Sequence, residues 1–107
     1  EEHLVLKTLQ FNHEMKVLDI GAGCGRWTVS FAPRTGKVIA IEPTPAFQVL
    51  KKNTADFANV ECINISFNEY ETDEKFDLII ISGVLMYINE QNEYDNFLLK
   101  RLIKGLF

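Results

Sequence analysis

Between positions 17 and 28 the chain reads Val-Leu-Asp-Ile-Gly-Ala-Gly-Cys-Gly-Arg-Trp-Thr, a stretch suited to gripping a small ligand with main-chain atoms. Gly21, Gly23 and Gly25 stand at alternate positions. The backbone there can turn sharply and approach a ligand with no side chain in the way. A helix starting after them would present unpaired amides, ready partners for a carboxylate or phosphate. Asp19 precedes the loop at the end of an apolar run, where it would face the same crevice. A P-loop ends in Gly-Lys-Ser/Thr; the Gly25-Arg26-Trp27 found here argues against a nucleoside triphosphate. A dinucleotide fingerprint, G-x-G-x-x-G/A, needs a third small residue at position 26, which Arg26 occupies. The plainer alternative is a strand-to-helix turn whose glycines only permit close packing.

A second carboxylate sharpens the choice. Glu42 closes the run Val38-Ile39-Ala40-Ile41, about twenty residues after the loop begins. At the end of a strand it can accept hydrogen bonds from the vicinal hydroxyls of a ribose. By itself it could equally be a solvated loop charge. Glu42 does not discriminate among ribose-bearing cofactors; Arg26 does.

An acidic residue followed by G-x-G-x-G resembles the first motif of class I S-adenosylmethionine-dependent methyltransferases, complete here as Asp19, Gly21, Gly23 and Gly25. The string Val38–Pro43 resembles the second motif of that family. The resemblance implies that the loop, Ala22 and Cys24 included, wraps the methionine part of S-adenosylmethionine. Asp19 would then help hold the ammonium group, directly or through water, and Glu42 with adjacent Pro43 would meet the ribose. Where the family often places an aspartate or asparagine against the adenine amino group, this chain has Ser66, a departure. Phe67 would flank the adenine face, if it is not simply core. Ser82 and Gly83, ending a fourth strand, would lie against the cofactor, and Val84–Ile88 would cover the crevice or line its substrate side. No residue can be assigned as a catalytic base. The Asn/Asp-Pro-Pro-Tyr string of amino-methylating nucleic-acid enzymes is absent.

The elements that must position these residues follow from hydrophobic runs. Lys16–Ile20, Lys37–Ile41, Val60–Asn64 and Phe76–Ser82 read as strands, the last containing an unbroken Leu78-Ile79-Ile80-Ile81. Helices are expected over Arg26–Ala32, stopped by Pro33, and from Pro45 behind a Thr44 cap, with Phe47, Leu50, Ala55 and Phe57 along it. A further helix is expected from Asn89, carrying Tyr94, Phe97, Leu98, Leu102 and Leu106, and a short one around Leu4, Leu6 and Leu9. Strands alternating with helices, one after each strand, imply an α/β fold: an open, mostly parallel, Rossmann-like sheet with helices on both faces. By the resemblance it has four strands in the order 3-2-1-4. Ligands in such sheets bind beyond the carboxyl ends of the strands where the winding reverses.

Composition narrows the partners. The chain has 107 residues, 47% of them hydrophobic, enough for one domain with a core. The expected organisation is a single S-adenosylmethionine-binding methyltransferase domain over 1–107. Eleven basic against fifteen acidic residues give a formal net charge of -4, and no basic stripe indicates nucleic acid. A small-molecule acceptor is favoured. Cys24 and Cys62 form no CxxC pair, and His3 and His13 lack metal-ligand spacing to them, so no metal is expected. Two reduced cysteines and no apolar run near 20 residues suggest a cytoplasmic, non-membrane protein. The chain begins at Glu1 and stops at Phe107, short of the further strand and hairpin typical of the family, which suggests C-terminal truncation of a longer parent. The fourth strand's uncovered edge would invite a homodimer. The alternatives are a non-catalytic methyltransferase-like partner subunit and a nucleotide-dependent oxidoreductase, the latter opposed by Arg26.

Overall fold

The computed structural model describes residues 11–81 and 84–87. The helices expected near Leu4 and from Asn89 lie outside the described residues. Among the described residues five strands form one sheet in the order β3-β2-β1-β4-β5: β1 Lys16–Ile20, β2 Lys37–Ile41, β3 Val60–Ile63, β4 Leu78–Ile81 and β5 Val84–Tyr87. The first four are mutually parallel and keep the expected 3-2-1-4 order. β5 is an addition to the four strands expected. It pairs antiparallel with β4, Leu78 opposite Tyr87 and Ile81 opposite Val84, so Val84–Tyr87 extend the sheet. The outer edge of β4 is therefore occupied, which removes the ground on which a homodimer through that edge was expected.

In-register pairing sets the two faces of the sheet. Val17, Val38 and Val60 are mutual neighbours across β1, β2 and β3, as are Asp19, Ala40 and Cys62. Because side chains alternate, Leu18, Ile20, Ile39 and Ile41 point the other way. This is why the strands read as near-continuous apolar runs: both faces are covered.

On the Val17 face lies helix α1, Arg26–Phe31, followed by a 3₁₀ turn at Ala32–Arg34 that contains Pro33. Phe31 is fully buried against Val17, Val38, Leu78 and Ile80. Asn59 Nδ2 donates to the carbonyls of Ala32 (2.7 Å) and Thr35 (3.1 Å), tying the end of that turn to the approach to β3. Helix α2, Ala46–Asn53, lies on the same side. Its Leu50 is fully buried, and Thr54 just past its end touches Cys62 on β3 at 3.3 Å. α2 is shorter than the sequence suggests, so Ala55 and Phe57 fall beyond it.

The opposite face is covered by the segment 64–77 between β3 and β4, which contains no helix, contrary to the expected helix after each strand. Ile65, Phe67, Tyr70 and Phe76 fold onto Leu18, Ile20, Ile39 and Ile41 instead. The acidic run Glu69, Glu71, Asp73 and Glu74 separates these apolar residues without a helical period. Among the described residues, both α-helices thus lie on one face of the sheet. Lys37 Nζ holds Glu74 Oε1 at 3.0 Å and Lys16 Nζ holds it at 3.6 Å, while Asp77 Oδ2 accepts the Lys16 amide at 2.9 Å. These contacts pin the end of the crossover to the amino-terminal end of the sheet, opposite the glycine loop.

Candidate functional site: the carboxyl ends of β1 and β2

The glycine loop leaves β1 and immediately joins its neighbour. The amides of Gly21 and Ala22 both donate to the Ile41 carbonyl at 3.0 Å, so the turn is anchored on the last residue of β2. Gly21, Gly23 and Gly25 have φ of 68°, 60° and 93°, a left-handed backbone that explains the glycine at each alternate place. Their surroundings differ. A Cβ on Gly21 or Gly23 would meet nothing within 4 Å, whereas one on Gly25 would stand 2.8 Å from Leu50 Cδ1. Gly25 is therefore a packing glycine, closing the loop against α2. Gly21 and Gly23 leave open space that a ligand could enter, so the packing-only reading holds for one glycine of three. Asn53 Nδ2 donates to the Cys24 carbonyl at 2.8 Å, fixing the far side of the loop, and the Cys24 side chain is exposed.

Glu42 follows β2 with only 5% exposure. Its Oε1 accepts the Gly23 amide at 2.7 Å, and its Oε2 accepts the Thr44 amide at 3.1 Å and the Thr44 hydroxyl at 2.6 Å. Burial pushes the pKa of Glu42 up, but the bonds from the Thr44 hydroxyl, the Gly23 amide and the Thr44 amide outweigh it and leave it below the usual value. Glu42 is thus held as a carboxylate against the glycine loop. Its main chain is fixed as well: its amide donates to the Ile63 carbonyl at 3.0 Å, and its carbonyl accepts Asn64 Nδ2 at 2.7 Å. Pro43 beside it is exposed.

Asp19 behaves differently. It is 2% exposed on the α1 face of β1, and the Thr28 hydroxyl donates to its Oδ2 at 2.7 Å. Burial raises its pKa to about 6; the Thr28 bonds lower it and the charge of Glu42 raises it further. Asp19 is thus buried beneath α1, and its charge is felt at Glu42.

The remaining candidates separate. Ser66 lies just past β3, half-buried, its hydroxyl donating to Glu69 Oε1 at 3.1 Å. Phe67 is 7% exposed and packs in the core under the crossover. Ser82 and Gly83 lie outside the described residues. The structure adds two residues to the site, Thr28 and the expected helix cap Thr44, each a hydroxyl donor to one of the carboxylates. Thr44 stands two residues beyond Glu42, within reach of its carboxylate through both its amide and its hydroxyl. Among the described residues no group of three or more His, Cys, Asp or Glu is placed to hold a metal, and no helix is long and apolar enough to cross a membrane.

A buried acid ending β1, a ligand-accessible glycine turn and a second acid ending β2 are a Rossmann-like cofactor arrangement. Residues 17–101 match the family model described as a methyltransferase domain, and the chain belongs to that family. Phosphoethanolamine N-methyltransferase 3 of Arabidopsis thaliana is 36% identical over 85 residues, which cover 74% of this chain and 17% of that protein. Among solved structures, the YcgJ protein of Bacillus subtilis matches with a TM-score of 0.65 and 28% identity over 73% of this chain and 35% of that one. Phosphoethanolamine N-methyltransferase 1 of Haemonchus contortus, in complex with phosphoethanolamine and S-adenosylhomocysteine, matches with a TM-score of 0.65 and 25% identity over 73% and 17%. The chain spans less than a fifth of either phosphoethanolamine enzyme and about a third of YcgJ.

Proposed function

We propose that this chain forms the S-adenosylmethionine-binding part of a methyltransferase that acts on a small-molecule acceptor. The observation that carries the reading is the Glu42 carboxylate, ionised and bonded to the Gly23 amide beside the open faces of Gly21 and Gly23. The residues present fit the cofactor: a turn of bare main chain for the amino-acid end and a carboxylate for the ribose hydroxyls. When bound, S-adenosylmethionine supplies the electrophilic methyl group. The chain contributes binding and orientation. Gly21–Gly25 shape the turn, Glu42 accepts ribose hydroxyls with Pro43 beside it, and the charge of Asp19 favours a cationic ammonium group. Ser66, past β3, would meet the adenine, and Ser82 and Gly83 complete the assignment.

The small-molecule acceptor is supported by the phosphoethanolamine relatives and by the net charge of -4. We read residues 1–107 as one domain of a cytoplasmic protein, in keeping with the free Cys24 and Cys62. Calorimetry with S-adenosylmethionine, S-adenosylhomocysteine and NAD tests the cofactor: binding of the first two and not the third is expected. NAD binding alone would overturn the reading. Transfer of a labelled methyl to phosphorylated and amino small molecules, but not to RNA or DNA, tests the acceptor class.

A further inference from the structure

The hydrogen-bond inventory of Glu42 carries more than its assignment to a ribose. A carboxylate has roughly four lone-pair sites, two on each oxygen. Oε2 accepts both the amide and the hydroxyl of Thr44, whereas among the described residues Oε1 accepts the Gly23 amide alone. One oxygen is saturated by protein donors. The accepting capacity that remains lies on Oε1, the oxygen bonded to the glycine loop.

Thr44 is itself held in place. Its hydroxyl oxygen accepts the Ala46 amide at 3.2 Å and its carbonyl accepts the Phe47 amide at 3.0 Å, at the start of α2. With that amide on one side, the hydroxyl directs its own proton to Glu42 Oε2, at 2.6 Å the shorter of the two Thr44 contacts. Thr44 is exposed, so removing its hydroxyl leaves no buried cavity. A surface threonine with two bonds to an almost fully buried carboxylate does little for the core. What it fixes is the direction in which that carboxylate points.

We propose that Thr44 is a positioning residue for Glu42, holding its Oε2 so that Oε1 meets the ribose hydroxyls of the bound cofactor beside Gly23. This rests on the cofactor reading above. Without the hydroxyl, Glu42 keeps one Thr44 bond of two and can turn away from the loop, so recognition of the ribose weakens while the rest of the ligand is held as before.

The test compares two probes, S-adenosylhomocysteine and its analogue lacking both ribose hydroxyls, by calorimetry on the intact protein. In the wild type the hydroxyls are worth a tenfold or larger difference in Kd. Thr44→Val weakens S-adenosylhomocysteine about tenfold and the hydroxyl-free analogue less than twofold, and Thr44→Ser restores the wild-type difference. Adding Thr44→Val to Glu42→Ala produces no further loss, since the two act on one contact. If Thr44→Val weakens both probes equally, or neither, Thr44 does not position Glu42 and the proposal falls while the cofactor assignment stands. If the wild type binds S-adenosylhomocysteine and the analogue equally, Glu42 does not read the ribose and the proposal falls. If the wild type binds neither probe, the cofactor reading falls and takes this one with it. Thr44→Ala, which loses the hydroxyl without the β-branch, gives the same readout should the valine disturb the start of α2.

Discussion

Asp19 and Glu42 end neighbouring strands within reach of each other's charge, yet their protonation shifts in opposite directions. Three donors hold Glu42 ionised; Asp19 is enclosed by the sheet and α1, with Thr28 its hydrogen-bond partner among the described residues. With its pKa raised from 3.8 to about 6, Asp19 binds a proton more readily in the folded protein than in the unfolded chain. Its stabilising contribution is fully present below pH 3.8 and is lost as pH rises through about 6. The cost at neutral pH is of order 2–3 kcal/mol. Glu42 works the other way, contributing stability above its unfolded pKa that disappears on acidification. Asp19→Asn keeps an acceptor for Thr28 and removes the buried charge. Thermal unfolding between pH 4 and 8 should show it more stable than wild type by about 1–3 kcal/mol at pH 8, with the gap closing toward pH 4. Binding should show the reverse: affinity for S-adenosylhomocysteine rises through about pH 6 in the wild type as Asp19 ionises and stays flat in the variant. The glycines divide equally clearly. Gly23→Ala costs about 1–2 kcal/mol in backbone strain and places a methyl where nothing now stands, so its main effect is on ligand affinity. Gly25→Ala incurs the same strain and also crowds Leu50, so denaturant titration should show it as the more destabilising of the pair.

At the scale of elements, the crossover between β3 and β4 decides how one face of the sheet is sealed. With no helix there, Phe67 supplies much of the cover, and Phe67→Ala should cost about 3–5 kcal/mol in a denaturant melt. A loss of ligand affinity with stability intact would instead restore Phe67 to the adenine. Glu74→Ala removes the half-exposed ion pairs to Lys16 and Lys37 and should change stability by about 1 kcal/mol or less. The strands were the most legible part of the sequence. β1 and β2 fall on the boundaries their apolar runs predict, because a strand covered on both faces needs apolar residues at nearly every position. β5 is harder to read, because Val84–Tyr87 follow β4 after only two residues and the apolar stretch looks like one strand with an overhang. The Ser82-Gly83 pair between them is a hairpin signal that would have divided it. The crossover departs from the expected helix because 64–77 lacks the helical periodicity that alternating strands and helices require. In the site, residue types and spacing revealed the glycines and Glu42. The partners Thr28 and Thr44, and the seclusion of Asp19, depend on side-chain directions that spacing alone does not carry.

For the whole molecule, the assignment predicts linkage between ligand and fold. Because the site joins β1, β2 and α2, a ligand bound there stabilises the folded chain by mass action, about 2.7 kcal/mol at a hundredfold excess over Kd. Differential scanning calorimetry should show the melting temperature climbing with S-adenosylhomocysteine concentration and staying still with NAD.

The strand order also sets a timetable. β1 lies at the centre, flanked by β2, which ends at Ile41, and by β4, which ends at Ile81. During synthesis at roughly 5–20 residues per second, some 2–8 seconds separate the emergence of these two partners. Throughout that interval the central strand has one paired side and one bare side, a row of unsatisfied amides and carbonyls next to apolar side chains. The nascent protein is therefore exposed to mispairing until β4 leaves the ribosome, and substitutions that slow the docking of β4 should lower the yield of soluble protein more than the stability of the finished fold.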